Sequence, residues 1–193
     1  SRDAEYRRRI LEAARKLFDR SGIETVNMYQ IAQEAGIGQG TLYRRYNHPG
    51  EIYSELLRTS VDRFMDQLEE RQTRTAASPA LEELYETIVR VVDYIDENAE
   101  LLSCINCMYA SKQDKHAHMR PVVARLRDLI SALLDRAAAQ GETEGVDVEM
   151  TVHLFIAVLA PEKYMHYRDH LGYSKERYLA GIRRVFVDGL RRR

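Results

Sequence analysis

The sequence lacks any run of about 18 or more apolar residues, the length that a membrane-spanning helix needs. Its opening stretch, "SRDAEYRRRILEAARKLF", alternates charged with apolar residues and has no apolar core of the kind found in a secretory signal peptide. Cysteine is also scarce, since the chain has only Cys104 and Cys107. Two cysteines are too few for a secreted disulfide framework and are typical of a reducing compartment. We therefore expect a cytoplasmic protein without a membrane partner.

Sequence motifs of the common enzyme classes are also missing. The chain has no nucleophile elbow, phosphate-binding loop, dinucleotide fingerprint or HExxH metal motif. Its carboxylates are scattered and follow the solvent faces of the predicted helices. These absences argue against an enzyme and against a resident cofactor.

The composition is that of a globular protein whose charge is unevenly distributed. Of the 193 residues, 45% are hydrophobic and 31% are charged, which is enough for one domain or two small ones. Residues 1–50 carry nine Lys or Arg and six Asp or Glu, whereas residues 51–193 carry 20 and 24. The N-terminal end is therefore +3 and the remainder −4, although the whole chain is only −1. This asymmetry favours binding of a polyanionic partner by the N-terminal end. The plainer alternative is that the charged residues only form a solvated face.

Helical periodicity dominates the chain and strand patterns are almost absent, so we predict an all-α fold. The segment "EYRRRILEAARKLFDRSG" has helical spacing and ends at Gly22, and Asn27 is a good N-cap for the next helix, "MYQIAQEAG". Gly36 stops this second helix, and a third, "IGQGTLYRRY", begins after only a few residues. Two short helices joined by a tight turn form a helix-turn-helix.

The third helix combines two inward residues with a polar outer face. Leu42 and Tyr46 lie four positions apart and are expected to pack inward. The outward residues are Gln39, Thr41, Tyr43, Arg44 and Arg45. An amide can pair with adenine, hydroxyls can donate to phosphates, and a guanidinium can bind phosphate or guanine. Because Gly40 also lets the backbone approach a neighbouring surface, this face is a candidate interface with DNA. A helical hairpin with solvated arginines is the alternative.

The whole run "RRRILEAARKLFDRSGIETVNMYQIAQEAGIGQGTLYRRYNHPGEIYSELL", residues 7–57, resembles the DNA-binding domain of TetR-family transcriptional repressors. The features occur in the same order: "AARKLF" in a first helix, then "IAQEAGI", then "GTLYRRY", then a long helix. The resemblance implies a helix-turn-helix domain over residues 1–50 and a helical effector-binding and dimerisation domain over residues 51–193. It also implies a homodimeric repressor that binds a palindromic double-stranded operator and is released by a small-molecule effector.

The resemblance also implies which residues contact DNA. By position these are Asn27, Gln39, Gly40, Thr41, Tyr43, Arg44 and His48, and Arg45 adds charge beside them. The chain departs from the family at Gly38, where a serine is common, and at Pro49, where a lysine usually opens the fourth helix. Because these changes remove a hydroxyl and an ammonium from phosphate contact, a helical interaction protein that has lost DNA binding is an alternative.

The last predicted helices are too hydrophobic for a lone surface position. Pro161 is expected to kink or break the first of them, and Ser174 is expected to cap the second. Their apolar residues either fill the core of one chain or pack against a second copy, as the resemblance implies. The expected dimerisation residues are Val152, Phe155, Ile156, Leu159, Ile182 and Phe186.

A mixed set of aromatic and polar residues in the C-terminal helices could line a cavity for a mainly apolar or aromatic effector. The candidates are Tyr85, Tyr94, Met108, Tyr109, His153, Phe155 and Tyr164. Each of them could instead be an ordinary core residue.

A metal- or thiol-sensing regulator is a further alternative. Cys104 and Cys107 share one helix face, His166 and His170 share another, and "HAH" at 116–118 adds two imidazoles. The chain has no second cysteine pair, and cysteine is common as a small buried hydrophobe. We therefore expect no metal site.

Overall fold

The computed structural model describes residues 2–110 and 117–192, and across these residues the secondary structure is helical, with no strand. The all-α prediction is thus confirmed. The helices are α1 (Arg2–Ser21), α2 (Met28–Glu34), α3 (Gln39–Tyr43), α4 (Pro49–Arg74), α5 (Ala80–Glu97), α6 (Ala99–Tyr109), α7 (Arg120–Ala139), α8 (Val148–Val158), α9 (Pro161–Asp169) and α10 (Lys175–Ile182). Short 3-10 turns cover Ile23–Thr25, Ala117–Met119 and Asp188–Leu190, and α10 continues as a π-helical turn over Arg183–Val187. Within the described ranges, no helix is both long and apolar enough to cross a membrane.

The chain forms two compact units. Unit 1 comprises Ser1–Asp62 and Glu100–Lys115, and unit 2 comprises Arg63–Ala99 and His116–Arg193. Helix α4 begins in unit 1 and ends in unit 2, and α6 belongs to unit 1 from its second residue onward. The domain boundary expected between residues 50 and 51 stays a prediction, and the packing groups α6 with the N-terminal helices.

The core of unit 1 follows the helical spacing of its apolar residues. In α1, Ile10 and Ala14 are fully buried, and α1 packs against α2, which in turn packs against α3. Ile31 of α2 and Leu42 of α3 are also fully buried. The short helices α2 and α3 are thereby held on α1, because helices of five to seven residues have little stability of their own.

The core of unit 2 is centred on α7, which packs against both α5 and α8. Helix α5 buries a stripe at spacings of three and four, and the same holds for α7. The buried residues of the two helices include Leu81, Leu84, Ile88, Val92, Ile95, Leu129, Ile130, Leu133 and Leu134. The apolar segment that follows is broken as expected, since α8 ends at Val158 and α9 begins at Pro161. The predicted cap of α10 is confirmed as well, because the Ser174 hydroxyl accepts the Arg177 amide at 3.1 Å.

Candidate nucleic-acid interface

Asn27 fixes the start of α2. Its side-chain oxygen accepts a hydrogen bond from the Gln30 backbone amide at 3.0 Å. The Gln30 side-chain oxygen accepts one from the Asn27 backbone amide at 2.9 Å. This reciprocal capping box satisfies two amides that a helix otherwise leaves unpaired at its first turn. The N-cap predicted at Asn27 is confirmed, and its side-chain NH2 group keeps its donor hydrogens for a ligand.

The turn between α2 and α3 is held from α1 by Arg9. The Arg9 guanidinium donates to the Ala35 carbonyl at 3.0 and 2.6 Å and to the Gly36 carbonyl at 2.8 Å. Gly36 has φ +63°, and a Cβ at this position would lie 2.9 Å from an Arg9 nitrogen. Gly36 is therefore required twice, once by its left-handed backbone and once by the arginine against it.

The inner face of α3 is anchored toward the C-terminal end of the helix. Leu42 is fully buried, and the Tyr46 hydroxyl just beyond the helix donates to Glu55 of α4 at 2.5 Å. Glu55 also forms an ion pair with Arg7 of α1. Burial, together with the hydrogen bond to Glu55, raises the pKa of Tyr46 above its ordinary value. Leu42 and Tyr46 thus lie on the packing face, as predicted.

The outer face of α3 is polar and accessible. Gln39, Gly40, Tyr43 and Arg44 are exposed, and Tyr43 retains 51% of its accessible surface. Thr41 is half-buried, and its hydroxyl accepts a hydrogen bond from Arg44 at 3.0 Å. The structure therefore brings an amide, a hydroxyl, a phenol and a guanidinium onto one short helix.

Gly40 has no packing reason to be glycine. A Cβ there would meet nothing within 4 Å, and the same is true of Gly38, which caps α3 without a side-chain hydrogen bond. Glycine within a helix costs about 0.5–1 kcal/mol relative to alanine. The chain thus carries this cost at a position that only an outside surface can approach closely.

Arg45 points differently from its neighbour Arg44. It is half-buried, donates to the Thr41 carbonyl at 2.9 Å, forms an ion pair with Asp3 and lies over the Tyr6 ring at 4.9 Å. These contacts fasten α3 to the first turn of α1. A DNA contact by Arg45 stays a prediction, and it would compete with this fastening.

The corner before α4 is built without the usual lysine. Pro49 opens the helix, and Glu51 accepts hydrogen bonds from the Asn47 amide at 2.8 Å and from its side chain at 3.1 Å. These bonds from Asn47 lower the pKa of Glu51 below its ordinary value. His48 is exposed and lies 3.9 Å from the same carboxylate. The side chain available to a phosphate at this corner is therefore an imidazole that lies beside an acid.

The residues proposed for the effector are placed in several different surroundings. Met108 and Tyr109 are half-buried in unit 1, whereas the other five lie in unit 2. Within unit 2, Tyr94 stacks on Phe64 at 4.4 Å and Arg183 covers Tyr85 at 4.4 Å. Phe155 and Tyr164 are fully buried and His153 is exposed. Their role in effector binding stays a prediction.

The residues proposed for dimerisation lie mostly inside one chain. Val152, Phe155, Leu159 and Ile182 are buried within unit 2, and Ile156 and Phe186 are half-buried. The large apolar side chains that α8 and the π-helical turn leave exposed are instead Met150, Leu154 and Val185. These helices do expose apolar side chains, and the exposed ones are sequence neighbours of the predicted residues.

The groups considered for a metal do not assemble. Over residues 2–110 and 117–192, no three His, Cys, Asp or Glu side chains are arranged to hold a metal ion. Cys104 and Cys107 belong to unit 1, and His166 and His170 belong to unit 2, with ring centroids 5.2 Å apart. His118 lies in unit 2, and His116 lies outside the described residues.

The sequence does not indicate the surroundings of two residues of unit 1, Arg9 and Tyr29. In the sequence Arg9 contributes only to the positive charge of residues 1–50, because its hydrogen-bond partners Ala35 and Gly36 lie 26 and 27 positions away. Tyr29 of α2 is 59% exposed beside the capping box and was assigned no role. An aromatic residue two positions after a predicted N-cap is the signal that could have drawn attention to it.

Comparison with known proteins agrees with this geometry. Residues 10–48 match the sequence model of the bacterial regulatory proteins of the tetR family. A helix-turn-helix transcriptional regulator of Staphylococcus aureus strain USA300 is 33% identical over 101 residues, and an equally similar relative occurs in strain N315. The match covers 52% of this chain, and it spans about half the length, 54%, of these curated relatives. They are transcriptional regulators and not enzymes.

Solved structures share the fold over nearly the whole chain. A regulator from Saccharomonospora viridis in complex with choline is 19% identical, with a TM-score of 0.73, over 98% of this chain and all of that one. A TetR/AcrR-family regulator from Thermobifida fusca is 20% identical, with a TM-score of 0.66, over 96% and 98%. FadR from Bacillus subtilis in complex with stearoyl-CoA is 18% identical, with a TM-score of 0.66, over 94% and 97%. The chain thus matches the tetR family model over residues 10–48, and it shares the all-helical fold of solved regulators such as the one from Thermobifida fusca.

Proposed function

We propose that the protein is a cytoplasmic, ligand-responsive repressor that binds a palindromic DNA operator as a homodimer and is released by a small molecule. The observation that supports DNA binding most directly is Gly40. It lies on an exposed polar helix face, and outside its own helical turn no atom of the described residues comes within 4 Å of a Cβ placed there. A glycine in such a place permits another backbone to approach closely.

The side chains around Gly40 divide between reading bases and binding phosphates. Gln39 opens α3 and is exposed, so its amide is the best candidate for a bidentate pair with adenine. Thr41 and Tyr43 carry hydroxyls suited to phosphate oxygens, and the Tyr43 ring or the Thr41 methyl can contact a thymine methyl. Arg44 adds a cation for phosphate, and Asn27 and His48 extend the same contact to either side.

Dimerisation would use the apolar surface that the folded chain leaves exposed. Met150 and Leu154 are 57% and 48% exposed and lie four positions apart on α8, which places them on one face. Val185 is 65% exposed on the turn that continues α10. A second copy covering these residues would place two recognition helices about 34–36 Å apart, or a multiple of that distance, to read a palindrome.

The effector would act on the dimer from unit 2. The comparison structures hold choline and stearoyl-CoA, two very different molecules, so the fold accepts many ligands and does not identify this one. The aromatic residues of unit 2 favour a mainly apolar or aromatic molecule, with Tyr85, Tyr94 and His153 as candidate contacts. Such a ligand can shift the protein away from its DNA-binding state only by its differential affinity for the two states.

Selection of bound duplexes from a random DNA pool, followed by affinity against salt concentration, tests the proposal. We expect an enriched palindrome whose affinity falls steeply with salt, because each phosphate contact releases counterions. The absence of enrichment at low salt would instead support a helical interaction protein that has lost DNA binding.

A further inference from the structure

Helix α6 holds both ends of the helix-turn-helix within unit 1. At its start, the Glu100 carboxylate accepts the backbone amide of Ile23 at 3.0 Å, in the turn that leads into α2. Near its end, Met108 packs on Gly50 at the start of α4, since its Cε and Sδ occupy the space that a Cβ on residue 50 would need. The segment between these two contacts therefore influences the position of both ends of the recognition element.

The two cysteines of the chain lie between those contacts, one turn apart on α6. Cys107 is exposed and adjoins Met108, whereas Cys104 is half-buried. Burial raises the pKa of the Cys104 thiol, and its neighbours Cys107 and Glu100 add to the shift. Cys104 also contributes, after burial, to raising the pKa of Tyr53 in α4 to about 12. One thiol is thus open to solvent and the other is partly buried.

We propose that Cys104 and Cys107 form a reversible thiol–disulfide switch that responds to hydroperoxides and weakens the packing of α6 against α4. In the first step the Cys107 thiol loses its proton and the thiolate sulfur bonds to a peroxide oxygen as the O–O bond breaks. The departing alkoxide takes up that proton, so the products are a sulfenic acid and an alcohol. In the second step the Cys104 sulfur attacks the Cys107 sulfur, and the departing hydroxide takes the Cys104 proton as water. The two thiols lose two electrons to one hydroperoxide, and a cellular thiol reductant reverses the change.

The geometry explains why the disulfide would change the structure. In a regular helix, residues three apart have Cβ atoms about 5–6 Å apart, whereas a disulfide requires about 3.5–4.5 Å. The last turn of α6 must therefore open to form the bond. This turn is already the weak end of the helix, since Ala110 donates to the Cys107 carbonyl at 3.3 Å. Moving Cys107 moves Met108, and the contact with Gly50 is lost.

The effect on DNA affinity rests on the proposed function, whereas the effect on α4 does not. The experiment compares the full-length protein, fully reduced and after treatment with cumene hydroperoxide, by thiol titration, hydrogen exchange and binding to the selected duplex. We expect loss of both thiols within one chain, faster amide exchange at residues 50–53, and DNA affinity weaker by about 5- to 150-fold. Added dithiothreitol should restore all three.

Variants separate the steps. C107S should leave Cys104 unreacted, and C104S should stop at a sulfenic acid that dimedone traps. The double variant keeps Met108, so it reports any response caused by methionine oxidation alone. A double variant that responds like the wild type would overturn the proposal.

Measurements on the wild-type protein alone also test the proposed switch. Failure to form an intramolecular disulfide, or a disulfide that leaves amide exchange at residues 50–53 unchanged, would overturn the switch. If the reduced protein binds no duplex, the proposed DNA function fails, and the exchange measurement still supports or overturns the switch.

Discussion

The guanidinium of Arg9 donates two hydrogen bonds, at 3.0 and 2.6 Å, to the carbonyl oxygen of Ala35. This places a positive charge at the C-terminus of α2, where helix carbonyls are unpaired and the helix dipole is negative. The first helix thereby sets the angle at which α3 leaves the turn.

Arg9→Ala should destabilise unit 1 and misorient α3. Hydrogen bonds to a charged group contribute about 1.5–3 kcal/mol, and we expect a loss toward the lower end of this range because the site is only partly buried. Urea unfolding measures the loss, and DNA affinity should fall with it. Arg8→Ala is the matched control, because Arg8 pairs only with exposed Glu5 and Glu12 and should leave the unfolding midpoint nearly unchanged.

Gly40→Ala should raise the stability of the protein and lower its affinity for DNA. The new Cβ meets nothing within the chain, so the free energy of unfolding should rise by about 0.5–1 kcal/mol. The same methyl would obstruct close approach of DNA, so affinity for the operator should fall. A variant that gains stability with no change in affinity would contradict the close approach proposed at Gly40.

Gln39→Ala and Tyr43→Phe should have distinguishable effects on DNA binding. Losing a base-reading amide should reduce discrimination at one base pair by about 1–3 kcal/mol, with little change for non-operator DNA. Losing a phosphate-binding hydroxyl should weaken binding to all duplexes alike. Binding assays on the operator, on single-base variants and on random duplexes measure both. Equal losses on every duplex for Gln39→Ala would refute its base-reading role.

Leu154→Glu should separate the proposed dimer without unfolding the chain. Leu154 is 48% exposed in the single chain, so a carboxylate there is solvated in the monomer and buried only in a dimer. Sedimentation velocity should show a monomer, with helicity retained by circular dichroism. Arg74→Glu, at an exposed position of α4, is the control that should stay dimeric. Val152→Ala should instead lower stability, because Val152 is buried within the chain.

Asp96 gives unit 2 a predictable acid sensitivity. The hydrogen bond from the Tyr164 hydroxyl at 2.6 Å, helped by Arg168, lowers the pKa of the Asp96 carboxyl. A carboxyl whose folded-state pKa is depressed contributes stability above its unfolded pKa of about 4, and this stability is lost as pH falls through the folded value. Tyr164→Phe should therefore be less stable than wild type at neutral pH, with the difference shrinking below about pH 4. Urea unfolding from pH 3 to pH 7 measures it.

Local signals in the sequence were reliable guides to the fold. The Asn27 and Ser174 caps and the break at Pro161 depend on residues within a few positions of one another, so the sequence alone could predict them. The Arg9 clamp and the grouping of α6 with unit 1 depend on residues 26 or more positions apart. No local pattern contains that information.

Helix α8 shows why the exposed surface was harder to predict than the helix itself. Its segment is apolar nearly all round, so periodicity does not say which of two stripes faces the core. The structure buries Val152, Phe155 and Leu159 and exposes Met150 and Leu154. The choice is made by the packing of α7 against α8, which follows from the whole arrangement of unit 2.

The brevity of α3 affects any attempt to transplant its specificity to another protein. A five-residue helix has too few internal hydrogen bonds to persist alone. Here Arg9 of α1 binds the turn before it, and Arg45, which follows it, contacts Asp3 and Tyr6 of α1. Grafting Gln39–Tyr43 onto a foreign scaffold would therefore transfer these residues without the contacts that orient them. A chimaera that also exchanges α1, with Asp3, Tyr6 and Arg9, is the smallest exchange expected to carry operator preference with it.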